Sequence, residues 1–242
     1  MKVLVISDIH GNRTALEAVL EVAGDYDAVW CLGDLIGYGP DPNDCVAIIR
    51  ELPHLICLRG NHDSAVVGLT ELGKFNIAAQ ELLLWTKDQL NPIHYHFIKE
   101  LEPYRELDHV TLAHGSPRNP IWEYIMDVYT ATANFAYFST PLCFVGHSHL
   151  PVIYTLSNGI DRAEVKFCKD GDTTSLPGLS IANPGSVGQP RDHDPRAAFA
   201  IFNTEDSTWT QHRVQYDIQA VQERMSLAEM PVEYIHRLDL GW

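Results

Sequence analysis

The run Val3-Leu4-Val5-Ile6-Ser7 has strand length and no polar alternation, and it stops at Asp8-Ile9-His10. A continuous apolar run of this kind fits a strand covered on both faces, which places Asp8 and His10 just past its C-terminal end. Residues 13–23 then carry Ala15, Leu16, Val19 and Leu20 at helical spacing. The sequence repeats this order: strand 28–32 before Gly33-Asp34, helix about 42–51, and strand 55–58 before Gly60-Asn61-His62-Asp63. Strand 109–113 delivers His114-Gly115, and strand 142–145 delivers Gly146-His147-Ser148-His149. Alternating strands and helices imply a parallel or mixed sheet, and open α/β sheets bind ligands at the C-terminal ends of their strands.

Residues 76–90 read as an amphipathic helix ended by Asn91-Pro92, with a hairpin leading into strand 109–113. Beyond residue 150 short strands follow at 151–156, 163–168, 179–182, 197–203 and 208–215, and this half is expected to form a second sheet. A helix from Ile218 to Ala228, N-capped by Asp217, and a short one at 232–237 close the chain. Two sheets facing each other with helices outside bury both apolar strand sets. The expected fold class is therefore α/β, a four-layer α-β-β-α sandwich of two mixed sheets flanked by helices. No spacer, repeat or low-complexity block divides the 242 residues, so one domain over 1–242 is expected, with a C-terminal helical segment at about 218–238.

The residue types after the strands point to metal chemistry. Two divalent ions about 3.5 to 4 Å apart can clamp the attacking and leaving oxygens of a displacement at phosphorus. Such a pair needs carboxylate, imidazole and amide donors together, with a carboxylate to bridge. Asp8, His10, Asp34, Asn61, His114, His147 and His149 supply that set. Taken singly, an Asn or Asp after glycine is a turn residue; in this order, each after a strand, the segments describe a metal-dependent hydrolase. His94-Tyr95-His96 has no carboxylate near it in sequence and reads as structural or exposed.

The net charge of −15 argues against a long nucleic-acid groove, although bound cations could still draw a small phosphorylated substrate, a nucleotide included. The apolar start is too short for a signal peptide and no stretch approaches a membrane span, so no membrane contact is expected. Cys31, Cys45, Cys57, Cys143 and Cys168 show no paired spacing, and buried reduced thiols in a cytoplasmic protein are expected. The C-terminal apolar residues Met225, Leu227, Met230 and Val232 serve either a dimer or a helix docked on its own sheet.

With Asp8-x-His10, Gly33-Asp34, Gly60-Asn61-His62-Asp63, His114 and Gly146-His147-x-His149, the chain resembles the calcineurin-like metallophosphoesterases over about residues 1–190. The resemblance implies one ion on Asp8, His10 and His149, a second on Asn61, His114 and His147, and Asp34 bridging; the metals would be of the Mn, Fe, Zn or Ni type. It implies a hydroxide between them as nucleophile, with His62 as a non-ligating catalytic histidine that protonates the leaving oxygen or stabilises phosphoryl charge. Protein phosphatases of the family carry Asp-Arg after the bridging Asp, whereas this chain reads Gly33-Asp34-Leu35-Ile36-Gly37-Tyr38. That departure, with the late turn Asn183-Pro184-Gly185-Ser186, makes it similar to the smaller bacterial and archaeal phosphodiesterase branch. Arg191, Tyr38 and Asn12 are the substrate-binding candidates, and Trp122 a candidate floor for a nucleobase. The alternatives are a small-molecule phosphomonoesterase, a diadenosine polyphosphate hydrolase, and a non-catalytic protein-binding scaffold like the retromer small subunit, which shares this fold. In a scaffold the ligand positions should erode, yet all seven and His62 are filled.

Overall fold

In β1 (Lys2–Ile6) alternate side chains serve two different cores. Val3 and Val5 pack into an apolar layer with Trp30, Leu142, Phe144, Phe202 and Trp209, whereas Leu4 and Ile6 pack with Leu16, Val19, Val46 and Ile49. That is the period-two result of a strand covered on both faces. The structure, a computed structural model, describes residues 1–157, 159 and 161–242.

Two six-stranded mixed sheets face each other across the first of these layers. In the first sheet β2 (Ala28–Cys31) pairs parallel with β1, in the register Val3 opposite Ala28, and β3 (Ile56–Cys57) pairs parallel with β2. On its other side β1 pairs antiparallel with β11 (Ala197–Asn203), followed by β12 (Thr208–Val214) and β9 (Thr173–Ser175). The second sheet runs β4 (Tyr104–Glu106), β5 (Val110–Ala113), β6 (Leu142–Val145), β10 (Leu179–Pro184), β7 (Pro151–Leu156), β8 (Glu164–Phe167). Here β5, β6 and β10 are mutually parallel.

Helices form the outer layers. Residues of α1 (Arg13–Val22), α2 (Pro42–Arg50) and α5 (Pro92–Glu100) cover the first sheet through Leu16, Val46, Ile49 and Ile98. On the far side Ala131 of α6 (Val128–Asn134) packs with Cys143, Val145 and Ile181 of the second sheet. A further cluster joins α4 (Ile77–Gln89), α7 (Ile218–Leu227) and α8 (Val232–Leu240) around Tyr38, through Leu82, Val221, Met225 and Tyr234.

The four-layer architecture is the one expected, and four of its details differ. Strands after residue 150 do not make a sheet of their own: β9, β11 and β12 complete the first sheet, because β1 is central and needs a partner on each edge. Asn91-Pro92 ends one helix and also starts another, with Asn91 accepting from the His94 amide and Pro92 in the first turn, where its missing N–H costs nothing. Residues 61–66, expected as loop, are the short helix α3 (Asn61–Val66). The last helix extends to Leu240. His94 is buried beside Asn43 and Asn91, a structural role, and Cys31, Cys45, Cys143 and Cys168 are buried free thiols. Among the described residues no helix is long and apolar enough to cross a membrane.

Candidate metal centre

Because β1, β2 and β3 are parallel, their C-terminal ends carry Asp8, His10, Asp34 and Asn61 to one rim; the parallel β5 and β6 carry His114, His147 and His149 to the facing rim. All seven side chains are nearly inaccessible, Asn61 being the most exposed at 3%. The strand ends are stitched by backbone bonds, Asp8 N–H to Gly33 C=O at 2.9 Å and His10 N–H to Asp34 C=O at 2.9 Å.

Asp8, His10, Asp34, His147 and His149 all have positive φ, between 52° and 64°. Non-glycine residues there cost energy and persist only where the surroundings hold them, as at functional sites. Gly33 makes the closest approach possible: at φ +101° a side chain would meet the Gly60 nitrogen and His114 Nδ1, each at 2.8 Å.

The donor atoms form overlapping groups: Asp8, His10 and His149; His10, Asp34 and His62; Asp34, His114 and His147. His149 Nε2 lies 3.3 Å from Asp8 Oδ1 and 3.1 Å from His10 Nε2. Asp34 Oδ2 stands 3.7 Å from His10 Nε2 and 3.5 Å from His114 Nε2, which is also 3.1 Å from Asn61 Oδ1.

The protonation pattern shows that these residues fit a cation. His114 Nδ1 bonds the Leu32 carbonyl at 2.9 Å and His149 Nδ1 bonds the Gln189 carbonyl. A carbonyl only accepts, so both Nδ1 atoms carry the proton and, in a neutral ring, Nε2 presents a lone pair. Burial lowers the pKa of His10, His62, His114, His147 and His149, which keeps the rings neutral. Lone pairs of His149 and His114 therefore face carboxylate oxygens of Asp8 and Asp34, an arrangement that a divalent cation reconciles. Asp8 Oδ1 and His147 Nε2 are also buried without a hydrogen-bond partner. Burial, then the neighbouring Asp63 and Asp8 charges, push the Asp34 carboxyl well up, as expected of a carboxylate whose countercharge is a bound ion.

These shifts set how the metal-free protein responds to acid. Each of the five imidazoles has a folded pKa below its ordinary 6.5, so the unfolded chain binds more protons and stability falls as pH drops below about 6.5. Asp34 and Asp63, the latter raised to about 6 by burial, act in the opposite sense, because the folded state holds their protons. Burial also lowers His94 and His212, so seven groups stand against two, and Tm of the metal-stripped protein is expected to fall between pH 7.5 and 5.5; a flat or rising Tm in differential scanning calorimetry would contradict this balance.

The other sequence candidates divide. His62 stands in the first turn of α3 with its ring centroid 4.8 Å from that of His10, and its backbone N–H donates to Asp34 Oδ1 at 2.9 Å. Tyr38 is wedged between His10 at 4.6 Å, His62 at 4.4 Å and Tyr234 at 4.9 Å between centroids. Arg191 lies with its guanidinium 5.9 Å from the Tyr38 ring. Asn12 Oδ1 caps α1 by accepting from Ala15 N–H and its Nδ2 donates to the Gly188 carbonyl, so the amide serves the fold beside the site. Trp122 sits beyond His62, edge-on to Phe75 at 5.3 Å, and Tyr124 stacks on His147 at 3.7 Å.

Sequence reasoning missed Asp63, Phe75, Gln189 and Tyr234. Asp63 accepts N–H bonds from Gly60, Leu35 and Ile36, tying the Asp34 loop to α3. Its place in Gly60-Asn61-His62-Asp63 was the available signal; Phe75, Gln189 and Tyr234 offered none, being brought in by packing alone.

The chain is similar to known proteins over most of its length. A model of the calcineurin-like phosphoesterase superfamily domain matches residues 1–207. An uncharacterized protein of Methanocaldococcus jannaschii is 37% identical over 246 residues, covering 99% of this chain and 98% of its own. The crystal structure of a metallophosphoesterase from Sphaerobacter thermophilus superposes with a TM-score of 0.93 at 42% identity, covering 100% of both chains. Phosphodiesterase YfcE of Escherichia coli strain K12 is 38% identical over 77 residues, 27% of this chain and 42% of YfcE.

Proposed function

This chain belongs to the calcineurin-like phosphoesterase superfamily, and on that premise we propose that it is a dinuclear metal-dependent phosphodiesterase acting on a small or nucleotide phosphodiester. The observation that carries the reading is the position of Asp34: one carboxylate oxygen stands within 3.7 Å of His10 Nε2 and 3.5 Å of His114 Nε2, between two groups of donors. Asp8, His10 and His149 would hold one ion, Asn61, His114 and His147 the other, with Asp34 shared. The mixed N/O donors suit Mn, Fe, Zn or Ni without choosing among them. Bound there, two divalent ions supply Lewis-acid activation of water and of the phosphoryl oxygens.

The protein's own groups do the rest. His62, kept neutral by burial and then by the Arg191 charge, is suited to donate an N–H hydrogen bond to developing negative charge, rather than to act as an imidazolium acid. Arg191 takes the place of the Arg that protein phosphatases carry after the bridging Asp, and would contact a non-bridging phosphoryl oxygen. A single guanidinium suits the monoanion of a diester better than the dianion of a monoester, and YfcE, similar over part of its length, is named a phosphodiesterase. Tyr38 closes the back of the site, while Phe75, Trp122 and Tyr124 give its mouth aromatic walls on which a base could stack.

The test is hydrolysis of bis-p-nitrophenyl phosphate and of p-nitrophenyl phosphate by protein stripped of metal and then supplied with Mn²⁺. Mn²⁺-dependent turnover that favours the diester is expected. A monoester preference would favour the phosphomonoesterase alternative, and inactivity on both and on a nucleotide panel despite bound metal would favour the scaffold.

A further inference from the structure

The segment from Asn183, near the end of β10, to Arg191 holds both rims of the site together. Asn183 Nδ2 donates to the Gly146 carbonyl at 2.7 Å, Ser186 Oγ to the Asp8 carbonyl at 2.7 Å, and Gly188 N–H to the same Asp8 carbonyl at 3.0 Å. Gln189 ends this series and is only 2% exposed. Its N–H donates to Ser186 Oγ at 2.8 Å, its carbonyl accepts the Nδ1 proton of His149, and its side-chain Oε1 accepts from Arg191 Nη2 at 3.0 Å. Pro190 follows, which restricts the backbone of Gln189 and shortens the path between the two contacts.

One residue thus grips a donor-bearing histidine with its main chain and a guanidinium with its side chain. Arg191 has no carboxylate within ion-pair distance among the described residues; its guanidinium bonds Gln189, faces the Tyr38 ring and lies near the Tyr124 hydroxyl. No carboxylate pairs with it directly, so its guanidinium is left available beside the Asp34 group, where an anion would be received. Free rotation of a long side chain in that position would be expensive to quench on binding, and the Gln189 amide quenches it beforehand. We propose that Gln189 is a positioning residue that aims Arg191 at the phosphoryl group and sets it in register with His149. The inference rests on the phosphoesterase reading of the site.

Inorganic phosphate binding by calorimetry to the Mn²⁺-loaded protein, metal content, and KM and kcat on bis-p-nitrophenyl phosphate test it. Gln189→Met roughly keeps the volume and keeps the carbonyl that His149 uses, and it replaces the side-chain amide, Oε1 acceptor included, by a thioether. It is expected to weaken phosphate binding and raise KM by about five- to tenfold, with kcat within about twofold and metal content unchanged. Arg191→Met should lose at least as much, and the double variant no more than Arg191→Met, because the two act as a unit. Gln189→Asn, which withdraws the oxygen, should repeat the loss if Gln189→Met does not fold. Unchanged phosphate affinity in Gln189→Met, additive losses in the double variant, or loss of metal in Gln189→Met would each overturn the proposal. If phosphate affinity responds to both variants but no diester is turned over, the functional reading fails while the positioning role stands; unchanged affinity in Arg191→Met would remove the clamp itself.

Discussion

Asp34→Asn is expected to release both ions together. The carboxylate is 1% exposed and lies between the His10 and His114 nitrogens, so an amide there removes a full charge from each half of the site. The fold should survive, because the bond that Asp34 Oδ1 accepts from the His62 N–H can be accepted equally by an amide oxygen. Replacing groups that merely orient metal ligands costs about 10- to 100-fold in affinity, so losing a shared ligand should exceed about 100-fold at each ion. Asn61→Ala is the control, since it touches only the group around His114 and should weaken one ion selectively. Metal analysis after dialysis reads the difference: two ions retained by Asp34→Asn, or only one lost, would contradict the shared position.

His62→Ala is expected to lower kcat by about 10²- to 10³-fold, the range for removing one preorganised donor, while leaving the metal content intact. The prediction has force because the alternative is close in space. The His62 ring falls within 4.8 Å of the donor atoms of His10 and Asp34, near enough to serve as a ligand. Turnover with metal content on the same sample separates the two roles. Metal lost with activity would make His62 a ligand; metal kept with activity lost would make it the donor to the phosphoryl group. Since its pKa is held low by burial, no ionisation of His62 should shape kcat near neutral pH.

How much of this was legible in the sequence follows from what each part depends on. The strands that carry ligands were readable because Val3–Ile6, Ala28–Cys31 and Leu142–Val145 are apolar on both faces and end at polar residues whose types are chemically restricted. Sheet membership was not readable, since pairing Val5 with Ala200 is a contact between distant segments to which no local pattern points. Asn91-Pro92 carried an N-cap and first-turn signal that is equally a stop signal, and the stretch after it, with aromatic and β-branched residues, shows little helical preference. Asn61, His62, Asp63 and Ser64 look like a solvent loop because they are polar, yet all four are buried. Asn12 carries a second signal: an Asn three residues before Ala15 is an N-cap signal, and its Oδ1 caps α1. Tyr234 could not be foreseen at all. It stacks on Tyr38 from a helix beyond the matched family domain, and so makes the C-terminal helices part of the wall behind His10.

The central claim is that the seven donors hold two ions with Asp34 between them. Anomalous diffraction from crystals soaked in Mn²⁺ tests it most directly. Two peaks about 3.5 to 4 Å apart are expected, one against Asp8, His10 and His149, the other against Asn61, His114 and His147, each within bonding distance of Asp34. A single peak at saturating Mn²⁺, or a pair that leaves Asp34 outside its coordination, would contradict the account.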